Sequence, residues 1–127
     1  MVRKNKRKTS KFETHDVCLE LATYTTNILD NEKNFPKDHE KLIDRMREEA
    51  TAIYHYVRVA NERDAKTEKA ERIRLQKIAL QKCDELFTDI MISKGVFHVR
   101  TQRLLHWKGL VGNAKSHILA WNKSEMK

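Results

Sequence analysis

Pro36 is the only proline in the chain, and it stands in NFPKDHEKL (residues 34–42) between two long stretches of helical periodicity. Only three glycines join it as strong chain breakers in 127 residues. A sheet protein of this size needs many tight turns, and such turns draw on glycine, proline and asparagine. So few breakers, with 35% charged and 39% apolar residues, fit long amphipathic helices. Pro36 itself fits the first turn of a helix, where its missing N–H costs nothing and its fixed φ suits the helical backbone. Asp38 and Glu40 follow, placed where the helix dipole favours negative charge. NFPKDHEKL therefore reads as a helix start after a tight turn spanning Asn31 to Phe35.

The periodicity predicts four helices, over about 13–32, 36–62, 67–94 and 98–123. The first pairs Val17/Cys18, Leu21/Ala22, Tyr24/Thr25 and Ile28/Leu29, with Ser10 and Glu13 as a capping box or Thr14 as a rival cap. The second carries Ile43, Met46, Ala50, Ile53, Val57 and Ala60 on one face, widened by Leu42 and Tyr54. The joint NERDAKTEK offers Asp64 or Thr67 as a cap for the third helix, which repeats Ile73, Gln76, Leu80, Cys83, Phe87 and Ile90. Leu75, Ile78, Ala79 and Leu86 broaden that helix's apolar arc, and Lys94-Gly95 reads as its stop. The fourth has the cleanest seam, Leu104, Trp107, Val111, Ala114, Ile118 and Trp121, flanked by Leu105, Leu110 and Leu119. Short joints between four helices predict an all-α, antiparallel up-down-up-down bundle over residues 12–127. The arcs on the third and fourth helices are wider than one bundle needs, which predicts a homo-oligomer.

Charge is distributed unevenly. Residues 1–11, MVRKNKRKTSK, hold six basic side chains, no acidic one and little to bury, so a disordered basic tail is expected. Residues 12–33 sum to −4, whereas residues 96–127 sum to +5 within a total of +8. A basic tail and a basic C-terminal half point to a polyanionic partner, most simply RNA or DNA. The candidate contacts are Arg3, Lys4, Lys6, Arg7 and Lys8 in the tail, with Arg72, Arg74, Lys77, Lys82, Arg100, Arg103, Lys108 and Lys115 in the bundle. Arg100 and Arg103 fall near the core side and must escape at the bundle end or pair with carboxylates. Nothing in the pattern reads base edges, so binding driven by shape and charge is expected.

Enzyme motifs are missing from the sequence: no GxGxxG, P-loop, GxSxG or HExxH. His98, Gln102, His106, Asn113 and His117 share one side of the fourth helix, but Gln102 stands where a second metal-ligating histidine would be needed. No cofactor, no metal and no catalytic role are expected. Trp107 and Trp121 read as packing residues. Cys18 and Cys83, without CxxC spacing, read as reduced buried thiols. No 18-residue apolar run and no apolar signal core are present, so a cytoplasmic protein without a membrane partner is expected.

Several segments together resemble a known family: NFPKDHEKLIDRMREEA, ATAIYHYVRVAN, RIRLQKIALQKCDELFTDI, and LLHWKGLVGNAKSHILAW with the tryptophan of the closing LAWNKS. Over about residues 19–124 the chain resembles the accessory variability determinant proteins of diversity-generating retroelements and their relatives encoded in intervening sequences of ribosomal RNA genes. The resemblance implies a basic, non-enzymatic four-helix bundle assembled as a pentamer. It implies binding to nucleic acid and to a reverse transcriptase during template-primed cDNA synthesis and mutagenic retrohoming. By helix position it favours Arg72, Arg74, Lys77 and Lys82, with Arg100 and Arg103. The basic tail departs from the family's common core. Gly109 and Gly112 would allow close approach of a helix or a subunit. The alternative is an oligomeric scaffold, or a ribosomal-RNA intervening-sequence protein with no polymerase role.

Overall fold

The structure, a computed structural model, describes side chains from residue 13 to residue 127. Four α-helices follow in order: α1 Val2–Leu29, α2 Glu40–Glu62, α3 Lys69–Val96 and α4 Thr101–Glu125. The expected disordered tail, its five candidate cations and the Ser10 cap lie outside the described residues. Thr14 is buried within α1 and so is not a cap.

Each helix packs against its neighbours in sequence, and α1 closes the square against α4. Side-chain pairs fix the directions. Along α3 and α4, Gln76 meets Asn122, Asp84 meets Lys115 and Met91 meets Lys108, so one number rises as the other falls. Between α1 and α2, His15 meets Tyr54 and Asp30 meets Arg47. Between α2 and α3, Arg45 meets Asp89 and the backbone at Ala60 meets Arg72. These pairings are antiparallel, as in an up-down-up-down bundle.

Small side chains, Ala50, Ala79 and Ala114, are sealed at the centre with Cys18 and Cys83, which are free thiols. Desolvation is the main cause that pushes Cys83 up to about 12 and Cys18 higher still, so both are held as thiols. Trp107 is fully enclosed, and its indole N–H donates to Thr25 Oγ1 at 2.9 Å. Trp121 is half-buried.

The joints differ in detail from expectation. α1 ends at Leu29, and Asn31 carries the turn by accepting the N–H of Phe35 at 2.9 Å. Phe35 is a buried plug, its ring 4.8 Å from that of Phe97 and 6.0 Å from that of Trp107. Pro36 does begin a helical turn, but as the residue before a single 3-10 turn, Lys37–His39, that leads into α2. Asp64 caps the joint itself: its Oδ1 accepts the N–H groups of Lys66 and Thr67, at 2.7 and 3.2 Å, while α3 starts only at Lys69. Gly95 does not stop α3. The helix runs on to Val96, and Gly95 never takes a positive φ.

The predicted face of α2 is buried as expected. On α3 the core row is Leu75, Gln76, Ala79, Cys83, Leu86 and Ile90, whereas Phe87 is 41% exposed. The arc is too wide for α2 and α4 to cover, and helix approach centred on Ala79 and Cys83 selects its middle. Phe87, Met91, Ile92 and Val96 on α3, with Leu105 and Leu119 on α4, are left in solvent. A Cβ added at Gly109 or Gly112 would meet nothing within 4 Å, so neither glycine serves close packing inside the protomer. No helix is long and apolar enough to cross a membrane among the described residues.

Candidate nucleic-acid interface

The eight candidate cations of the bundle divide by what surrounds them. Arg72 is a correction to the expected basic surface. It begins the buried side of α3 and is 2% exposed. Its guanidinium donates to the carbonyls of Ala60 at 3.2 Å and Arg63 at 2.7 Å, so it closes the C-terminal end of α2. It also pairs with Glu125 and lies over the Trp121 ring at 5.6 Å. No phosphate can reach a group so enclosed, and each of its three nitrogens already donates to a carbonyl or a carboxylate.

Three more cations are exposed or half-exposed but paired. Arg74 forks onto Glu71, Lys82 reaches Glu85 at 3.1 Å, and Lys115 reaches Asp84 across the α3–α4 seam at 2.6 Å. In each case the carboxylate favours the charged form and raises the cation's pKa, chiefly through the hydrogen bond. Lys108 is half-buried with Nζ 3.8 Å from Met91 Sδ. Lys77, Arg100 and Arg103 stand exposed, and among the described residues none of them forms an ion pair. The expectation that Arg100 and Arg103 escape at the bundle end is met: Arg100 precedes the first turn of α4 and Arg103 lies within it.

The cleft between α2 and α3 has the opposite character. About 480 Å³ in size, it is lined by Glu49, Asp84, Glu85 and Asp89, with Arg45. Arg45 forks onto Asp89 at 2.9 and 2.8 Å. Burial opposes the Asp89 charge, but that guanidinium and a hydrogen bond from Glu49 together outweigh it and lower the pKa. Glu49 is 6% exposed and one of its oxygens has no partner among the described residues. Desolvation first, then Asp89 as hydrogen-bond partner and like charge, pushes Glu49 up to about 8. Asp84, Glu85 and Asp89 are thus each held by a cation, Lys115, Lys82 and Arg45, and the cleft offers a polyanion no unpaired cation among its described lining residues.

The α1–α4 side is different again. Tyr24, Asn27, Ile28, Asn31 and Arg103 line a surface cavity of about 330 Å³ with no carboxylate among them. The Tyr24 hydroxyl donates to the Arg103 carbonyl at 3.5 Å, and its ring meets the edge of His106 at a centroid distance of 4.9 Å. Burial raises the Tyr24 pKa against the opposing charge of Arg103, which keeps the phenol protonated. Of the polar side of α4 noted in the sequence, His106 is thus placed beside Tyr24, while His98, Gln102 and Asn113 are exposed and His117 is half-buried. Tyr24, Asn27 and Asn31 escaped the sequence reading because Tyr24 fits an apolar stripe and the asparagines fit a turn. No three histidine, cysteine or carboxylate side chains are arranged to hold a metal ion among the described residues.

Comparison with known proteins leaves the chain without a match: no family model, no curated protein and no solved structure corresponds to it.

Proposed function

We propose that this chain is a non-enzymatic, nucleic-acid-binding helical bundle that works as an oligomer. The observation that carries the reading is the set of uncommitted cations, Lys77, Arg100 and Arg103, in a chain whose first eleven residues add six more positive charges. Free cations release counterions when they meet phosphate, whereas cations already held by carboxylates have less to gain. The α2–α3 cleft adds nothing to this contact, because its carboxylates already hold Arg45, Lys82 and Lys115. Six exposed large apolar side chains on α3 and α4 support self-association.

The finer reading is a cytoplasmic accessory subunit of a retroelement reverse transcriptase, acting in template-primed cDNA synthesis and mutagenic retrohoming. It rests on the sequence resemblance, as does the pentamer. A second reading is favoured by the internal pairing of Arg74, Lys82 and Lys115: an oligomeric scaffold, or a ribosomal-RNA intervening-sequence protein without a polymerase role.

The test is binding of the purified chain to structured RNA and duplex DNA across a salt series, with molar mass measured in the same buffer. A steep loss of affinity with salt on a particle of several subunits supports the first reading. Co-purification with a retroelement reverse transcriptase would then separate the polymerase role from simple RNA binding. No binding at low salt overturns the nucleic-acid reading and leaves the scaffold.

A further inference from the structure

The α1–α4 cavity combines features that plain phosphate contact does not need. Its guanidinium, Arg103, is exposed and unpaired among the described residues. Its aromatic wall, Tyr24, is braced by the His106 ring at 69° and by its own hydroxyl on the Arg103 backbone. Its amides come from Asn27, which is exposed, and Asn31, whose Oδ1 accepts the Lys33 N–H at 3.1 Å and whose NH2 group has no partner among the described residues. At about 330 Å³ it lies at the small end of ligand-sized sites, roughly 300–1,000 Å³.

A duplex presents its phosphates outward and keeps its bases stacked. A single strand offers base faces to aromatic rings and base edges to amides. We infer that the cavity lined by Tyr24, Asn27, Ile28, Asn31 and Arg103 receives one unstacked nucleotide of single-stranded RNA, with its base on the Tyr24 ring, which His106 braces, and its phosphate on Arg103. The inference rests on the nucleic-acid reading above and adds a preference for single strands and a place on the fold. That place is the α1–α4 side, away from the α3 cations that the sequence favoured. The two asparagines supply both donors and acceptors to a base edge, which supports a mild base preference.

The experiment uses the full chain with fluorescein-labelled oligouridylate, oligoadenylate and a duplex RNA of equal length, in a salt series. Tyr24→Leu keeps the apolar bulk and removes the stacking ring. It should weaken single-strand binding by about tenfold and duplex binding by less than about twofold. Arg103→Gln should weaken both and lower the salt slope by about one. In the unaltered chain, photocrosslinking of 4-thiouridine oligonucleotide should place the adduct on peptides carrying Tyr24 or His106, which decides the matter even if a variant unfolds. Equal losses on single strand and duplex from Tyr24→Leu, adducts confined to α3, or displacement of the RNA by polyglutamate at constant ionic strength would overturn the inference. If the unaltered chain binds both RNAs with a steep salt slope and both variants bind as it does, this site fails and the nucleic-acid reading stands. If the unaltered chain binds neither, both fail.

Discussion

Arg72, at the start of α3, and Glu125, in the last turn of α4, form an ion pair enclosed by the end of α2 and the Trp121 indole. Three helix ends are joined at one guanidinium. Breaking a buried pair from one side leaves an uncompensated charge, which costs about 3–5 kcal/mol. Arg72→Ala should therefore lower unfolding free energy by about 3 kcal/mol or more in a urea titration. Arg74→Gln, two residues away and exposed, should change it by less than about 0.5 kcal/mol. Equal effects would show that the buried pair carries no special weight.

Glu49 makes stability depend on pH in a stated direction. Its folded pKa of about 8 lies above the ordinary glutamate value of 4.5, so the folded state holds the proton more tightly than the unfolded chain does. The resulting stabilisation is complete below pH 4.5 and is lost as pH rises from there through about 8. Glu49→Gln stays neutral throughout and should flatten that decline. At pH 9 the variant should gain roughly 1–3 kcal/mol relative to the parent protein, with little difference at pH 4. Parallel pH profiles in thermal melts would refute the buried-proton description.

Thr25 supplies the acceptor for the Trp107 N–H, and both residues are closed off from solvent. Thr25→Val keeps the shape and orphans the indole, at a cost of about 1–3 kcal/mol. Trp107→Phe also loses packing. A double-mutant cycle should return a coupling of about 1 kcal/mol between the two positions. Additive losses would mean that the hydrogen bond contributes nothing of its own.

Phe87, 41% exposed, and Leu105, 57% exposed, test self-association. Phe87→Glu/Leu105→Glu removes apolar surface from solvent contact and adds like charges, so the fold should survive. Light scattering should then give a particle near the protomer mass of 15.1 kDa, with the helical circular dichroism retained. An unchanged multimer would place the interface elsewhere, and a monomeric parent protein would remove the oligomer from the proposed function.

The helices were legible because α2 and α4 place apolar residues at spacings of three and four, from Ile43 to Ala60 and from Leu104 to Ile118. On α3 the same rule gave too wide an arc. Which of its residues are buried depends on where α2 and α4 approach, and no local spacing carries that. Arg72 looked like a surface cation because its partners, the Ala60 carbonyl and Glu125, lie 12 and 53 residues away. Lys115 and Asp84 are 31 apart, and Tyr24 and Arg103 are 79 apart, so both pairings needed the assembled square of helices. The local pairs Arg74–Glu71 and Lys82–Glu85, three residues apart, were within reach of the sequence.

Cys18 and Cys83 turn the interior into a clock. Neither sulfur is exposed, and burial holds both as unreactive thiols. A disulfide reagent added to the native protein can modify them only after α1 and α3 part. With reagent in large excess, the rate of colour development would then report how often the bundle opens, with no denaturant.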